Sequence, residues 1–216
     1  MEVYVRLSGR TAEEAFLAAR EIGGAAGFAI DVDLVAGIGP ALVSALDELG
    51  PVMVLGGLSG PPPLVAAAAG RLARLGASWV TVAALAGATA VAAAVEAVAG
   101  TGCGIAATTL AVGLDATEVA SLTGTSRGRL VSRLAAAAAG AGAGGIVGSL
   151  ADLGVIAQVA PGMIRIVDAG PEAAEWAEAS RRGAGVVVLP GPGSLRAFAA
   201  GGGATAAASQ KPRRRR

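Results

Sequence analysis

The sequence predicts an α/β fold, and within that class a small (β/α)8 TIM barrel. Eight short apolar runs alternate with helix-like segments, and they recur about every 25 residues, near the length of one βα unit in the smallest barrels. A chain of 216 residues with 54% apolar content is also long enough to bury one large core. A flavodoxin-like or Rossmann doubly wound sheet shares the alternation and differs chiefly in strand number; eight units favour the barrel. The expected layout is one barrel over 1–200, then a disordered Gly/Ala-rich linker with a polybasic end over 201–216.

Each element has a local reason. An apolar run at 3–7 is followed by Thr11, with Glu14 three residues on, which is a capping-box signature for a helix over 12–22. The run 27–32 leads through Gly39-Pro40 into a helix with Leu42, Leu46 and Leu49 on one side. The run 52–55 precedes three prolines at 61–63, which suit a helical first turn, and that helix should reach residue 75. A β-branched strand at 78–82 and an alanine-rich helix at 88–99 follow. Further strands are expected at 104–110, 145–147, 155–159 and 185–189, with helices at 115–122, 127–139, 171–182 and 194–199.

Inventory excludes much chemistry. The chain has no histidine, and its only lysine is Lys211, so a histidine base, a histidine metal ligand or a lysine in the barrel is ruled out. Without a histidine or lysine to activate them, Ser59, Thr108, Thr109 and Ser149 are not credible nucleophiles. No cofactor is called for. The single cysteine, Cys103, reads as a small buried hydrophobe. Mean hydropathy is high, +0.64, yet every long apolar run is broken by glycine or proline, so no membrane span is expected. The first ten residues lack the basic region and long apolar core of a signal peptide, and a cytoplasmic protein is the expectation.

Charge is unevenly placed. Of 17 basic residues, five are Lys211, Arg213, Arg214, Arg215 and Arg216, which leaves 12 basic against 16 acidic in the rest. The tail is a candidate for weak, salt-dependent polyanion binding with no sequence readout. GAGAGG at 140–145 satisfies G-x-G-x-x-G, but a helix precedes it and a strand follows. That order is the reverse of a dinucleotide-binding turn, and it reads as a connection.

The third strand raises the functional question, because VMVLGGLSGPPPLV ends in glycine and proline where barrel enzymes place charged groups. The phrases GFAIDVDLVAGIGPALVSALDELG, PVMVLGGLSGPPPLVAAAAGRLARLGASWVTVAALAG, AATTL, VAPGMIR and GVVVLPGPG resemble, in order and spacing, the orotidine 5′-phosphate decarboxylase superfamily. The resemblance covers about residues 3–195 and implies a TIM barrel of the ribulose-phosphate-binding type. It also implies a homodimer through the loops after the third and fourth strands, and a phosphorylated ligand at the strand C-termini. Where the family carries Asp-x-Lys-x-x-Asp, this chain has Leu55, Gly57 and Gly60. The first-strand aspartate falls at Ser8, the second-strand lysine near Ala29, the fourth-strand histidine at Ala83 and the phosphate-gripping arginine at Pro192. The expected function is thus a decarboxylase-like barrel that has lost its activity and acts as a binding or regulatory pseudoenzyme. The alternatives are an enzyme of altered chemistry on a small molecule, or an active relative serving pyrimidine biosynthesis.

Binding candidates remain. Asp31 and Asp33 in IDVDLV could share one strand face and point into the mouth. Arg165, just after Pro161-Gly162, is a candidate anion ligand near the phosphate position that the resemblance implies. Gly162, Gly191 and Gly193 could offer backbone N–H groups to an anion. No metal site is expected, since the acidic pair that holds Mg²⁺ in related members is missing.

Overall fold

In the computed structural model, which describes residues 1–110 and 114–200, eight parallel strands close into a barrel in chain order. The strands are β1 (Glu2–Arg6), β2 (Gly27–Asp31), β3 (Val52–Leu58), β4 (Ala77–Ala83), β5 (Gly104–Thr108), β6 (Gly145–Gly148), β7 (Ile164–Asp168) and β8 (Val186–Leu189). The ring closes where Glu2, Val3, Tyr4 and Val5 pair with Val186, Val187, Val188 and Leu189. Around it lie α1 (Ala12–Glu21), α2 (Val32–Ile38), α3 (Ala41–Asp47), α4 (Pro62–Arg74) and α5 (Ala88–Ala97). They are followed by α6 (Ala116–Thr123), α7 (Arg127–Gly140), α8 (Leu153–Val159), α9 (Ala173–Arg181) and α10 (Pro192–Ala200). The polybasic tail, with Arg213, Arg214, Arg215 and Arg216, lies outside the described residues. No helix among the described residues is long and apolar enough to cross a membrane.

Local chemistry sets the helix starts. The Thr11 hydroxyl accepts the Glu14 amide at 3.2 Å, and the Glu14 carboxylate accepts the Arg10 amide at 2.8 Å. Asp115 and Glu118 form a complete capping box at the start of α6. Pro62 opens α4, where its missing N–H goes unused.

Two elements depart from the sequence reading: α2 (Val32–Ile38) is a helix it did not expect, and the seventh strand lies elsewhere. The apolar segment at 155–159 is helical, and the seventh strand is Ile164–Asp168 instead. Leu153 and Ile156 are buried three residues apart, which is the helical period, whereas the true strand is interrupted by Arg165 and so lacks a continuous apolar run. The turn Pro161-Gly162 therefore precedes β7 rather than following it.

Two apolar layers form from the period of two along each strand. Outward-facing Ile30, Val54, Val80, Ile105 and Ile146 pack under the helices. Inward-facing Tyr4, Ala29, Met53, Ala106, Val147, Ile166 and Val188 fill the barrel, with Trp79 against them. A separate cluster near β8 holds the buried Trp176, whose indole N–H donates to the Gly170 carbonyl at 2.8 Å and whose ring lies 6.4 Å from that of Phe198.

The foot of the barrel, at the strand N-termini, is filled by rings over glycines. A Cβ on Gly104 would lie 2.6 Å from the Trp79 ring, and one on Gly27 would lie 2.6 Å from the Tyr4 ring. Gly145 packs on the same indole. Two aromatic side chains thus occupy space that three strands leave open. Gly104→Ala is expected to destabilise the chain by about 1–3 kcal/mol through overpacking. Adding Trp79→Leu should recover part of that loss in a double-mutant cycle read by chemical denaturation; strictly additive costs would show that the two positions do not share this space.

Candidate functional site at the barrel mouth

Strand alternation that places Tyr4, Ala29 and Ile166 inside the barrel also points Arg6, Asp31 and Asp168 inward, one layer higher, at the C-terminal ends of β1, β2 and β7. These three form one cluster. An Arg6 terminal nitrogen donates to the Asp168 carboxylate at 2.7 Å, and the Arg6 Nε lies 3.4 Å from the Asp31 carboxylate. That Nε is buried and makes no hydrogen bond, so Arg6 is well matched to Asp168 and loosely matched to Asp31. One guanidinium between two carboxylates leaves the cluster with a net negative charge.

The two acids are not equivalent. Burial pushes the Asp31 carboxyl above its ordinary range; Arg6 pulls it down, while Asp168 and Asp33 push it up again. Its side chain remains 37% exposed, so it faces the open mouth, whereas that of Asp168 is 18% exposed.

Beside Asp31 the mouth turns apolar, because Leu55 of β3 is in register with it. Leu55 is buried at the upper end of β3, and the strand then bulges through Gly56 and Gly57 before rejoining β4 at Leu58–Val82. The Thr81 hydroxyl holds that bulge, accepting the Gly57 amide at 2.9 Å and donating to the Val54 carbonyl at 3.2 Å. Other hydroxyls near the strand ends are also engaged: Thr109 donates to the Val147 carbonyl and Ser149 to Asp152. Asp152 is in turn paired bidentately with Arg127, at 3.1 and 2.6 Å, and Arg127 also donates to the Leu114 carbonyl. With both side chains largely buried, this pair clasps the start of α7 to the turn after β6; it is structural.

The residues proposed from sequence separate into two groups. Asp31 does sit at the mouth. Asp33 does not share a strand face with it, because β2 stops at Asp31 and Asp33 lies exposed in the first turn of α2, where the helix dipole favours an acid. Gly191 and Gly193 flank the start of α10 above β8, on the mouth side. Gly162 and Arg165 lie at the opposite end. The corrected seventh strand puts both at the foot of the barrel, where the Arg165 Nε donates to the Gly183 carbonyl at 2.9 Å. Sequence reading missed Arg6 and Asp168. The alternation Tyr4, Arg6 on β1 and the strand-end acid of IRIVDAG were the available signals.

The mouth does not fit the Mg²⁺ that the sequence resemblance brings into question. The strand-three positions are Leu55 and Gly60, and the two acids that do meet here already hold a guanidinium.

No protein-family model matches the chain, and no curated protein sequence does. Solved structures do. Orotidine 5′-phosphate decarboxylase from Lactobacillus acidophilus superposes with a TM-score of 0.80 at 17% identity, over 92% of this chain and 97% of that one. An uncharacterized conserved protein from Geobacillus kaustophilus gives 0.76 at 22% identity, over 92% and 97%. The 3-hexulose-6-phosphate synthase of Salmonella typhimurium gives 0.73 at 15% identity, over 93% and 97%. The fold is therefore the barrel that the sequence resemblance implied.

A pH dependence follows from the raised Asp31 group. Its stabilising contribution is complete below the ordinary aspartate value of 3.8 and is lost as pH rises through its higher folded value. Asp31→Asn removes that loss, so the stability of the variant relative to the parent should improve from about pH 3.5 to pH 7. Denaturant midpoints at the two pH values test this; a relative decline would mean that attraction to Arg6 outweighs burial.

Proposed function

We propose that this chain is an orotidine 5′-phosphate decarboxylase-like barrel that no longer decarboxylates and that binds a small polar molecule at its mouth. The observation that carries the reading is the exchange of charge. The third-strand end offers Leu55, Gly56 and Gly57, and the inward-facing cation of the mouth cluster is Arg6, bonded to Asp168 and 3.4 Å from Asp31. Protonating a vinyl carbanion needs a donor that gives up its proton. A guanidinium held by two carboxylates keeps its own. The phosphate site is correspondingly reduced to backbone N–H groups around Gly191 and Gly193.

The proposed ligand has two sides. Its hydrogen-bonding or cationic edge meets Asp31 and Asp168, and its flatter apolar side lies over Leu55 and Ala83. A second reading, an enzyme of altered chemistry, is favoured by Asp31 alone. A half-buried acid with a raised pKa at a barrel mouth has the character of a general acid or base.

Purified protein is expected to show no turnover of orotidine 5′-phosphate above background. A rate approaching ~1 s⁻¹, within the ordinary enzyme range, would overturn the reading. The homodimer implied by the resemblance belongs to the same proposal. Leu64 and Leu85, 66% and 62% exposed, follow β3 and β4 on the mouth side and form apolar surface suited to a second copy. Light scattering should give twice the 20.6 kDa chain mass, and Leu85→Glu should shift it toward monomer. A parent protein that is monomeric at micromolar concentration would remove the dimer from the proposal.

A further inference from the structure

A second concavity lies at the other end of the barrel, at the strand N-termini, and the mouth reading does not involve it. It encloses about 680 Å³, within the ~300–1,000 Å³ range of small-molecule sites. Tyr4 and Trp79 line it from the barrel interior. Its walls come from the end of α5, the glycine-rich turn leading to β5, and the connection into β6.

The chemistry is specific in sign. Glu2 is the one charged residue on this lining, and its carboxylate makes no hydrogen bond or ion pair among the described residues. Burial pushes the Tyr4 hydroxyl up, and Glu2, on the same lining, pushes it the same way, which places the negative charge near the Tyr4 side chain. Ser78 is also on the lining, and its Oγ is buried with no hydrogen-bond partner beneath that wall. An unpaired buried hydroxyl is costly unless something else satisfies it. Trp79 itself is only partly covered, although Gly104, Gly144 and Gly145 pack against one side of its indole.

We propose that this crevice is a binding site for a flat, positively charged aromatic group such as a protonated aryl amidine or amine. The ring would lie against Trp79 and Tyr4, whose faces favour cations. The charged head would meet Glu2. An anionic analogue of the same shape gains the stacking but meets Glu2 with like charge.

Benzamidine and benzoate differ in the charge of one planar head group and test the proposal directly by titration calorimetry on the full chain. Benzamidine should bind at least about tenfold tighter than benzoate, since a charged hydrogen bond is worth about one decade. Glu2→Gln, nearly isosteric, should erase that preference. Ala99→Trp, at an exposed rim position, should abolish benzamidine binding while circular dichroism and the melting temperature stay unchanged. Asp31→Asn at the mouth should leave it intact. No binding at ~10 mM, equal affinities for the two probes, or binding that survives Ala99→Trp and disappears in Asp31→Asn would overturn the assignment; the last would put the cation in the mouth.

Discussion

A closed eight-stranded barrel has an interior that must be filled layer by layer, and every other feature of this chain answers to that requirement. With only 3% aromatic residues, the sequence cannot fill it with rings throughout. It uses Ala29, Ala106, Val147 and Val188 in the middle and concentrates two of its few rings, Tyr4 and Trp79, toward the foot, above strands that begin in glycine. The foot is thereby plugged and slightly hollowed, and the top layer is left to polar groups. Arg6, Asp31 and Asp168 occupy inward positions that an apolar layer would otherwise take.

Much of the architecture was legible because apolar runs on strands and helices have different periods. The count of eight strands and the placement of seven of them follow from that, as does the proline-led start of α4. The seventh strand was not legible. LGVIAQV looks apolar enough for a strand, while IRIVD carries a charge at its second position, and only packing decides that Leu153 and Ile156 share a helix face. The site suffered in proportion. That single displacement carried Arg165 to the foot and kept Asp168 hidden. The Arg6 cluster joins residues 25 and 162 positions apart in sequence, and no local pattern announces such a pairing.

Electrostatics divides the molecule along its axis. The mouth holds paired charge with a surplus of one carboxylate, and the Arg127–Asp152 pair is used up in joining α7 to the turn after β6. The apolar end of β3 thus does not leave the mouth without charge. The charged groups sit on β1, β2 and β7, with Asp31 in register with Leu55 of the neighbouring β3, and they satisfy one another.

The bulge in β3 limits which side chains this turn can carry. Gly57 sits at φ 62° and Gly60 at φ 136°, and the second of these is a region essentially closed to residues with a Cβ. The Thr81 hydroxyl and the Gly57 amide now hold each other in this path. Lysine at 57 and aspartate at 60 would therefore strain this turn and lower stability. The backbone therefore acts as a filter on side chains: the path that Thr81 holds accepts glycine at these two positions and resists residues with a Cβ.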